Sequence, residues 1–216
     1  MQESYKYRGQ RAKLVEKIRR KGITDEAVLE AIGRIPRHRF VEGAFRDQAY
    51  EDKALPIRSG QTISQPFTVA YQTQMMGLTP GMKILEIGTG SGYQAAVLCE
   101  MGMKVFSVER SQELHQEAKE RLFSLGYEPY LKCGDGTRGW KLYQPFQRIL
   151  VTAASPDIPE PLKQQLDIGG KLIIPVGGRN TQKMTVVTRT KTDRYSVQTF
   201  HEFRFVPLIG EYGWEE

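Results

Sequence analysis

The chain has 216 residues, of which 39% are hydrophobic and 26% charged, the balance of a globular domain large enough for a substantial core. No apolar run approaches the roughly 18 residues a membrane span requires, and the first residues lack the apolar centre of a signal peptide, so a cytoplasmic protein is expected. Lys and Arg exceed Asp and Glu to give a formal charge of +6, a mild pull toward acidic partners, but much of the excess lies in residues 8–21, where a basic helix face is ordinarily just solvated.

Within residues 1–22 a helix is expected around 12–20, with Leu14, Val15 and Ile18 as its apolar stripe. Thr24 and Asp25 can cap a second helix over 26–35, which Pro36 ends. His38 has no acid or nucleophile near it in the chain and reads as structural. Residues 50–65 are polar and lack a helical pattern. They lead into Gly60-Gln-Thr-Ile-Ser-Gln-Pro66, a loop in which the hydroxyls of Thr62 and Ser64 flank Ile63. A helix over 67–78 follows, with Pro66 near its first turn, Ser64 as its expected cap and Thr79-Pro80-Gly81 as its stop.

The stretch Lys83-Ile-Leu-Glu-Ile-Gly-Thr-Gly-Ser-Gly92 carries the strongest chemical signal. Ile84, Leu85 and Ile87 form the apolar run of a buried parallel strand. Gly88, Gly90 and Gly92 then punctuate a turn around Thr89, and a helix resumes over 93–101. Glycines at such a turn let backbone approach a ligand closely. A dinucleotide fingerprint would place its third glycine at position 93, where this chain has Tyr93. Glu86, two residues before the first glycine, would repel a pyrophosphate and suits a cation. S-adenosylmethionine carries an ammonium and a sulfonium and no phosphate, so it fits both observations.

A second strand over 104–109 ends in Glu109, seventeen residues beyond Gly92, where a carboxylate can accept both hydroxyls of a ribose. A helix over 111–125 stops at Gly126. Strands follow over 129–133 and 147–153, then a short helix over 159–165 and a fifth strand over 171–176. The runs 184–190 and 195–205, joined by Lys191-Thr-Asp-Arg194, read as a hairpin. Alternating strands and helices followed by a hairpin predict an α/β, doubly wound, mostly parallel sheet, seven-stranded in all, with N-terminal helices and an antiparallel C-terminal edge. Ligands in such sheets bind at the carboxyl ends of the strands. Those ends collect residues 86–92, Glu109, Gly134-Asp135-Gly136 and Thr152-Ala153-Ala154, with Asp135 able to bond an adenine amino group or nearby water. Cys99 and Cys133 lie in no metal-ligand spacing and read as reduced, buried small hydrophobes. One domain is expected, with N-terminal helices and an active-site loop in 1–66, a cofactor core in 67–178 and a substrate edge in 179–216.

Together these pieces resemble the protein-L-isoaspartate O-methyltransferases. The matching segments are the Gln61-Thr-Ile-Ser-Gln-Pro66 loop, the glycine turn through Gln94, Val108-Glu109-Arg110, Gly134-Asp-Gly136, Gly169-Gly-Lys-Leu-Ile-Ile-Pro-Val-Gly177 and Phe205-Val-Pro-Leu208. The resemblance covers about residues 24–210 and implies a Rossmann-like class I methyltransferase. Such an enzyme uses S-adenosyl-L-methionine, yields S-adenosyl-L-homocysteine, and esterifies isoaspartyl residues of damaged proteins and peptides. It implies that Glu86, Gly88, Thr89, Gly90, Gly92, Glu109, Arg110, Gly134, Asp135 and Gly136 hold the cofactor. Thr62, Ile63 and Ser64 would lie over it, with Ser64 catalytic. Thr62, Ser64, Thr152, Ala153, Ala154, Val206, Pro207 and Leu208 would meet the substrate. No metal, membrane or nucleic acid is implied, and a monomer is expected. Two positions depart from the family pattern: Gln147 stands where an acid is common, leaving one contact at the edge of the site open, and Ala54 replaces a common proline.

Two other readings compete with this one. A nucleic-acid methyltransferase acting on amino groups would place Asn/Asp-Pro-Pro-Tyr after the fourth strand, and one acting on cytosine C5 would need Pro-Cys. The chain has Thr152-Ala-Ala-Ser-Pro156, Leu98-Cys99 and Lys132-Cys133. A non-catalytic cofactor-binding module acting through the basic N-terminal helices is the other alternative.

Overall fold

The computed structural model describes residues 4–215. Residues 1–3 of the expected N-terminal helical segment therefore lie outside the described residues. Helix α1 (Tyr5–Arg20) starts well before Ala12, because the Ser4 side chain caps it by accepting from the Lys6 N–H. Asp25 caps α2 (Glu26–Arg34) as expected, accepting from the amides of Ala27 and Val28. The segment read as a plain loop contains a small hairpin, β1 (Leu55–Pro56) against β2 (Thr62–Ile63). Helix α3 (Pro66–Met76) then begins with proline at its first position.

Ser64 does not cap α3. The cap position is Gln65, whose side chain makes no capping bond. Asp52 does that work from fifteen residues upstream, its Oδ1 accepting from the Phe67 N–H at 2.9 Å. A remote cap leaves the Ser64 hydroxyl uncommitted.

The main sheet has seven strands: β3 (Lys83–Ile87), β4 (Lys104–Glu109), β5 (Tyr130–Cys133), β6 (Phe146–Val151), β7 (Leu166–Gly177), β8 (Gln182–Lys191) and β9 (Arg194–Phe203). Their order is β5-β4-β3-β6-β7-β8-β9. Strands β3 to β7 pair in parallel, and β8 and β9 add antiparallel. This is the expected doubly wound sheet with its antiparallel edge. The order reverses between β3 and β6, so a crevice opens beyond their carboxyl ends.

Alternate residues serve two cores, as the period of a strand demands. Ile84, Val105, Leu150 and Ile173 face one cluster, shared with α1 to α3, α4 (Tyr93–Glu100) and α5 (Gln112–Ser124). Leu85, Phe106, Ile149 and Leu172 face the other, closed by Leu162 of α6 (Glu160–Gln164) and by Leu208.

Several expectations are corrected by packing. β7 begins before Gly169-Gly170, and its register slips where Phe146 and Arg148 pair with it. A Cβ on Gly170 would sit 3.1 Å from the Phe146 carbonyl and 2.8 Å from that of Asp167, so the glycine permits the irregularity instead of ending the strand. Cys133 is exposed, not buried, because β5 is the sheet's outer strand. Gln147 is not at the edge of the site. It lies at the amino end of β6, where its Oε1 accepts from the Lys83 N–H at 2.9 Å. His38 is structural: its ring stacks on Tyr7 at 3.9 Å, and its Nδ1 lies 2.8 Å from the Tyr50 hydroxyl.

Candidate active site

A cavity of about 460 Å³ occupies the crevice beyond β3 and β6, within the range that holds a nucleoside-sized ligand. Its floor is the turn after β3. Gly88 has φ +93, and a Cβ there would meet the Thr152 hydroxyl oxygen at 2.5 Å. Only glycine takes that conformation and that approach cheaply. The Thr152 hydroxyl in turn donates to the carbonyls of Ile87 and Gly88, at 3.0 and 2.7 Å, so β6 locks the turn from the side.

Glu109 stands at the end of β4, on the cavity wall and 7% exposed. Its Oε2 accepts from the Gly90 N–H at 2.8 Å and its Oε1 from the Ser111 N–H at 2.9 Å. Each oxygen keeps a further lone-pair direction, which is what a vicinal diol requires. The carboxylate thus also fixes the glycine turn.

Glu86 is placed differently from expectation. It is fully buried and absent from the cavity wall. The register of β3 on β4 sets it beside Ser107, whose hydroxyl donates to Oε2; Oε1 has no partner. The Ser107 oxygen also lies 2.6 Å from the Thr89 hydroxyl, linking the buried acid to the turn. Burial pushes the Glu86 carboxyl up to about 8, aided by the charge of Glu109 and opposed by the Ser107 bond.

The Gly134-Asp135-Gly136 turn divides in the same way. Gly136 lines the cavity, whereas Gly134 and Asp135 do not. Asp135 Oδ1 accepts from the Thr137 N–H and hydroxyl, at 2.8 and 2.6 Å. Its Oδ2 accepts from the Glu211 N–H at 3.0 Å. Burial alone would raise this carboxyl, but the bonds from Thr137 and Glu211, with Arg138 nearby, hold it below its ordinary value. Asp135 therefore ties the C-terminal segment to the end of β5, instead of facing the cavity as an adenine contact would.

The opposite wall is made by Thr62, Ile63 and Ser64 and by residues 206–209. The latter run beside the β6 end: the Ala154 N–H donates to the Val206 carbonyl at 2.8 Å and the Leu208 N–H to the Ala154 carbonyl at 2.7 Å. Thr89, Gly90, Arg110, Thr152 and Ala153 also line the space, while Gly92 and Ala154 stand behind it. Gly92 packs on α5, where a Cβ would come within 3.1 Å of Leu122. Sequence reasoning missed Ser59, Gln61, Val69, Tyr93, Gln94, Val108, Ser111 and Ile209 on the wall. All but Ser59 and Val69 lie one or two positions from residues that were singled out, so continuing each motif outward would have found them.

A nucleoside-sized cavity at the switch point of this sheet, with a ribose-competent acid and a glycine floor, defines a Rossmann-like class I methyltransferase. Comparison with known proteins agrees. The family model described as protein-L-isoaspartate(D-aspartate) O-methyltransferase matches residues 9–213. A Cytophaga hutchinsonii protein-L-isoaspartate O-methyltransferase is 51% identical over 214 residues, covering 99% of this chain and 97% of its own. A Salinibacter ruber enzyme of the same name is 54% identical, with 95% and 94% covered. A solved protein-L-isoaspartate O-methyltransferase superposes with a TM-score of 0.86 at 32% identity, over 94% of this chain and 67% of that one. A Plasmodium falciparum protein solved with S-adenosyl-L-homocysteine shares the fold, with a TM-score of 0.80 at 24% identity over 92% and 98% of the two chains. The chain belongs to the protein-L-isoaspartate(D-aspartate) O-methyltransferase family. It is a methyltransferase that uses S-adenosylmethionine and acts on L-isoaspartyl residues, the first step of their repair.

Proposed function

We propose that Glu109 holds the cofactor's ribose hydroxyls, that residues 88–90 floor its site, and that Thr62 and Ser64 hold the isoaspartyl α-carboxylate against it. The observation that carries this reading is the cavity itself, with Glu109 and the glycine turn on one side and the hydroxyl loop on the other. Glu109 and the floor fit the cofactor: a buried carboxylate on the wall suits a diol, and the glycines leave backbone open to the ligand.

Bound S-adenosylmethionine supplies an electrophilic methyl on a sulfonium. The acceptor carboxylate, with an ordinary pKa of roughly 4, is already ionised at neutral pH, so no general base is needed. A cation and an anion disappear together along the path. Strong donors to the carboxylate would therefore stabilise the ground state more than the transition state. The task left to the protein is alignment and exclusion of water. The Ser64 hydroxyl suits it: it makes no hydrogen bond among the described residues and lines the cavity. Residues 206–208, already paired with the Ala154 backbone, offer a main-chain edge for an extended peptide of any sequence.

The reading takes the protein to act as a cytoplasmic monomer on peptides, not on nucleic acid. Its basic N-terminal face supports the last point. Lys6, Arg19, Arg20 and Lys21 pair with Asp47, Glu26, Glu16 and Asp52, leaving less charge for phosphates. Transfer of labelled methyl to an isoaspartyl peptide and not to its aspartyl twin is the expected result; equal labelling of both, or of neither, would overturn the substrate assignment. A steep salt dependence of RNA or DNA binding would favour the nucleic-acid alternative.

A further inference from the structure

Arg37 is the largest side chain wholly removed from solvent. It follows Pro36 in a short 3₁₀ turn, and no carboxylate lies within salt-bridge distance of it among the described residues. Burying an unpaired guanidinium is expensive, several kcal/mol in order of magnitude, and arginine keeps its proton under such conditions. Three neutral groups and the charge of Asp52, whose side chain is buried, offset that cost in part, while Nη1 finds no hydrogen-bond partner among the described residues. Nε donates to the Ala49 carbonyl at 2.9 Å and Nη2 to the Ser64 carbonyl at 2.9 Å. The guanidinium also lies over the Tyr93 ring, 4.6 Å from its centroid, a cation–π contact strengthened by desolvation.

Two of these groups belong to opposite walls of the cavity. Ser64 ends the hydroxyl loop, and Tyr93 is the first residue of α4, directly after the glycine turn. No backbone ladder joins these walls among the described residues. The loop is also held by the pairing of β2 with β1, by the Ser59 hydroxyl on Ser111 and Glu113, and by Asp52, whose carbonyl accepts from the Gln65 side chain at 3.0 Å and whose carboxylate caps α3. The planar fork of Arg37 is the one side chain among the described residues that bonds the Ser64 carbonyl while stacking on the wall that carries the glycine turn.

We infer that Arg37 is a positioning residue for methyl transfer: it sets the distance between the Ser64 hydroxyl and the cofactor floor by holding the Ser64 carbonyl and the Tyr93 ring in one rigid unit. The inference rests on the reading of Ser64 as the hydroxyl that holds the acceptor. It acts on alignment, so it belongs to kcat and not to cofactor affinity. Lysine keeps the charge but cannot bond two carbonyls and stack at once.

The test is Arg37→Lys, assayed with an isoaspartyl peptide at a temperature well below its melting point. The expected outcome is a fall in kcat of about 10- to 100-fold, the scale of a misalignment near 1 Å. S-adenosylmethionine affinity, measured by calorimetry, should stay within about threefold, since no cofactor contact is removed. In a Ser64→Ala background the same change should cost less than about threefold, because residues acting through one another are not additive. Additive losses would overturn the inference, as would unchanged kcat in folded Arg37→Lys, or cofactor affinity lost in step with turnover. If Arg37→Lys does not fold, Arg37→Gln carries the same measurements; if neither folds, Arg37 is a stability residue and the inference fails. Ser64→Ala with unchanged kcat would instead sink the reading of Ser64, whatever Arg37 does.

Discussion

The floor of the cavity and its opposite wall are built by different means. Residues 88–90 and Glu109 continue directly from β3 and β4, and main-chain bonds fix them: the Gly88 N–H donates to the Val108 carbonyl at 2.9 Å and the Thr152 N–H to the Ile87 carbonyl at 3.0 Å. The hydroxyl loop pairs with β1, and residues 206–208 with Ala154, outside the ladder of the main sheet. Long-range side chains add to that short pairing: Arg37 on Ser64, Asp135 on Glu211, and Gln182, whose Oε1 accepts from the Phe205 N–H at 2.9 Å. A nucleoside common to many reactions meets the wall that the sheet makes rigid. The peptide, which varies, meets the wall that single side chains position and single substitutions can loosen.

That contrast can be broken at four places. The largest effect is expected at Glu86, inside the ladder-built floor. Burial pushes its carboxyl up to about 8 in the folded protein from the ordinary value of about 4.3, so the unfolded state releases its proton first as pH rises. The wild-type protein should therefore lose stability between about pH 4.5 and pH 8, and Glu86→Gln should lack that loss. By pH 8 the variant should be the more stable by several kcal/mol, converging toward about pH 4.5. Urea unfolding at pH 5 and pH 8 with the same difference at both would contradict the burial account.

Next is Glu109→Ala, which removes the wall's ribose acceptor together with the bonds to the Gly90 and Ser111 amides. Cofactor affinity should fall by about 1–3 kcal/mol, read by calorimetry. Undiminished affinity would contradict the ribose assignment. On the opposite wall, Ser64→Ala should lower kcat by less than the ~10²–10³-fold of a lost oxyanion donor, with cofactor affinity unchanged. A larger loss would mean that Ser64 stabilises charge and does more than align. The smallest effect is expected for Asp135→Ala, which frees the Glu211 and Thr137 amides. About 1 kcal/mol of anchoring should be lost, seen as a raised KM for peptide with the cofactor constant unmoved. A change in cofactor affinity instead would restore Asp135 to the cofactor side.

Much of this was legible in the chain. The apolar runs and glycine stops placed every strand of the main sheet, and the terminal positions of Glu109 and Thr152 followed from strand ends. The cysteines, the cap of α3 and the side of the sheet on which Gln147 lies were not legible in the same way. Cys133 is exposed because β5 has no outer neighbour, and α3 is capped by Asp52 across fifteen residues. Gln147 pairs at the amino edge because of the register between β3 and β6.

Local pattern determined the elements, the glycine turn and which residues reach a carboxyl edge, since period and backbone freedom are properties of neighbours in the chain. Tertiary structure alone decided which acids see the cavity. Glu86 and Asp135 both lie within two residues of their glycines in sequence, yet one bonds Ser107 on the neighbouring strand and the other grips the C-terminal segment. It likewise made Arg37, unremarked in a basic and apolar stretch, a link between two walls. Burial and partner are set by segments far apart in the chain, and no local signal carries them.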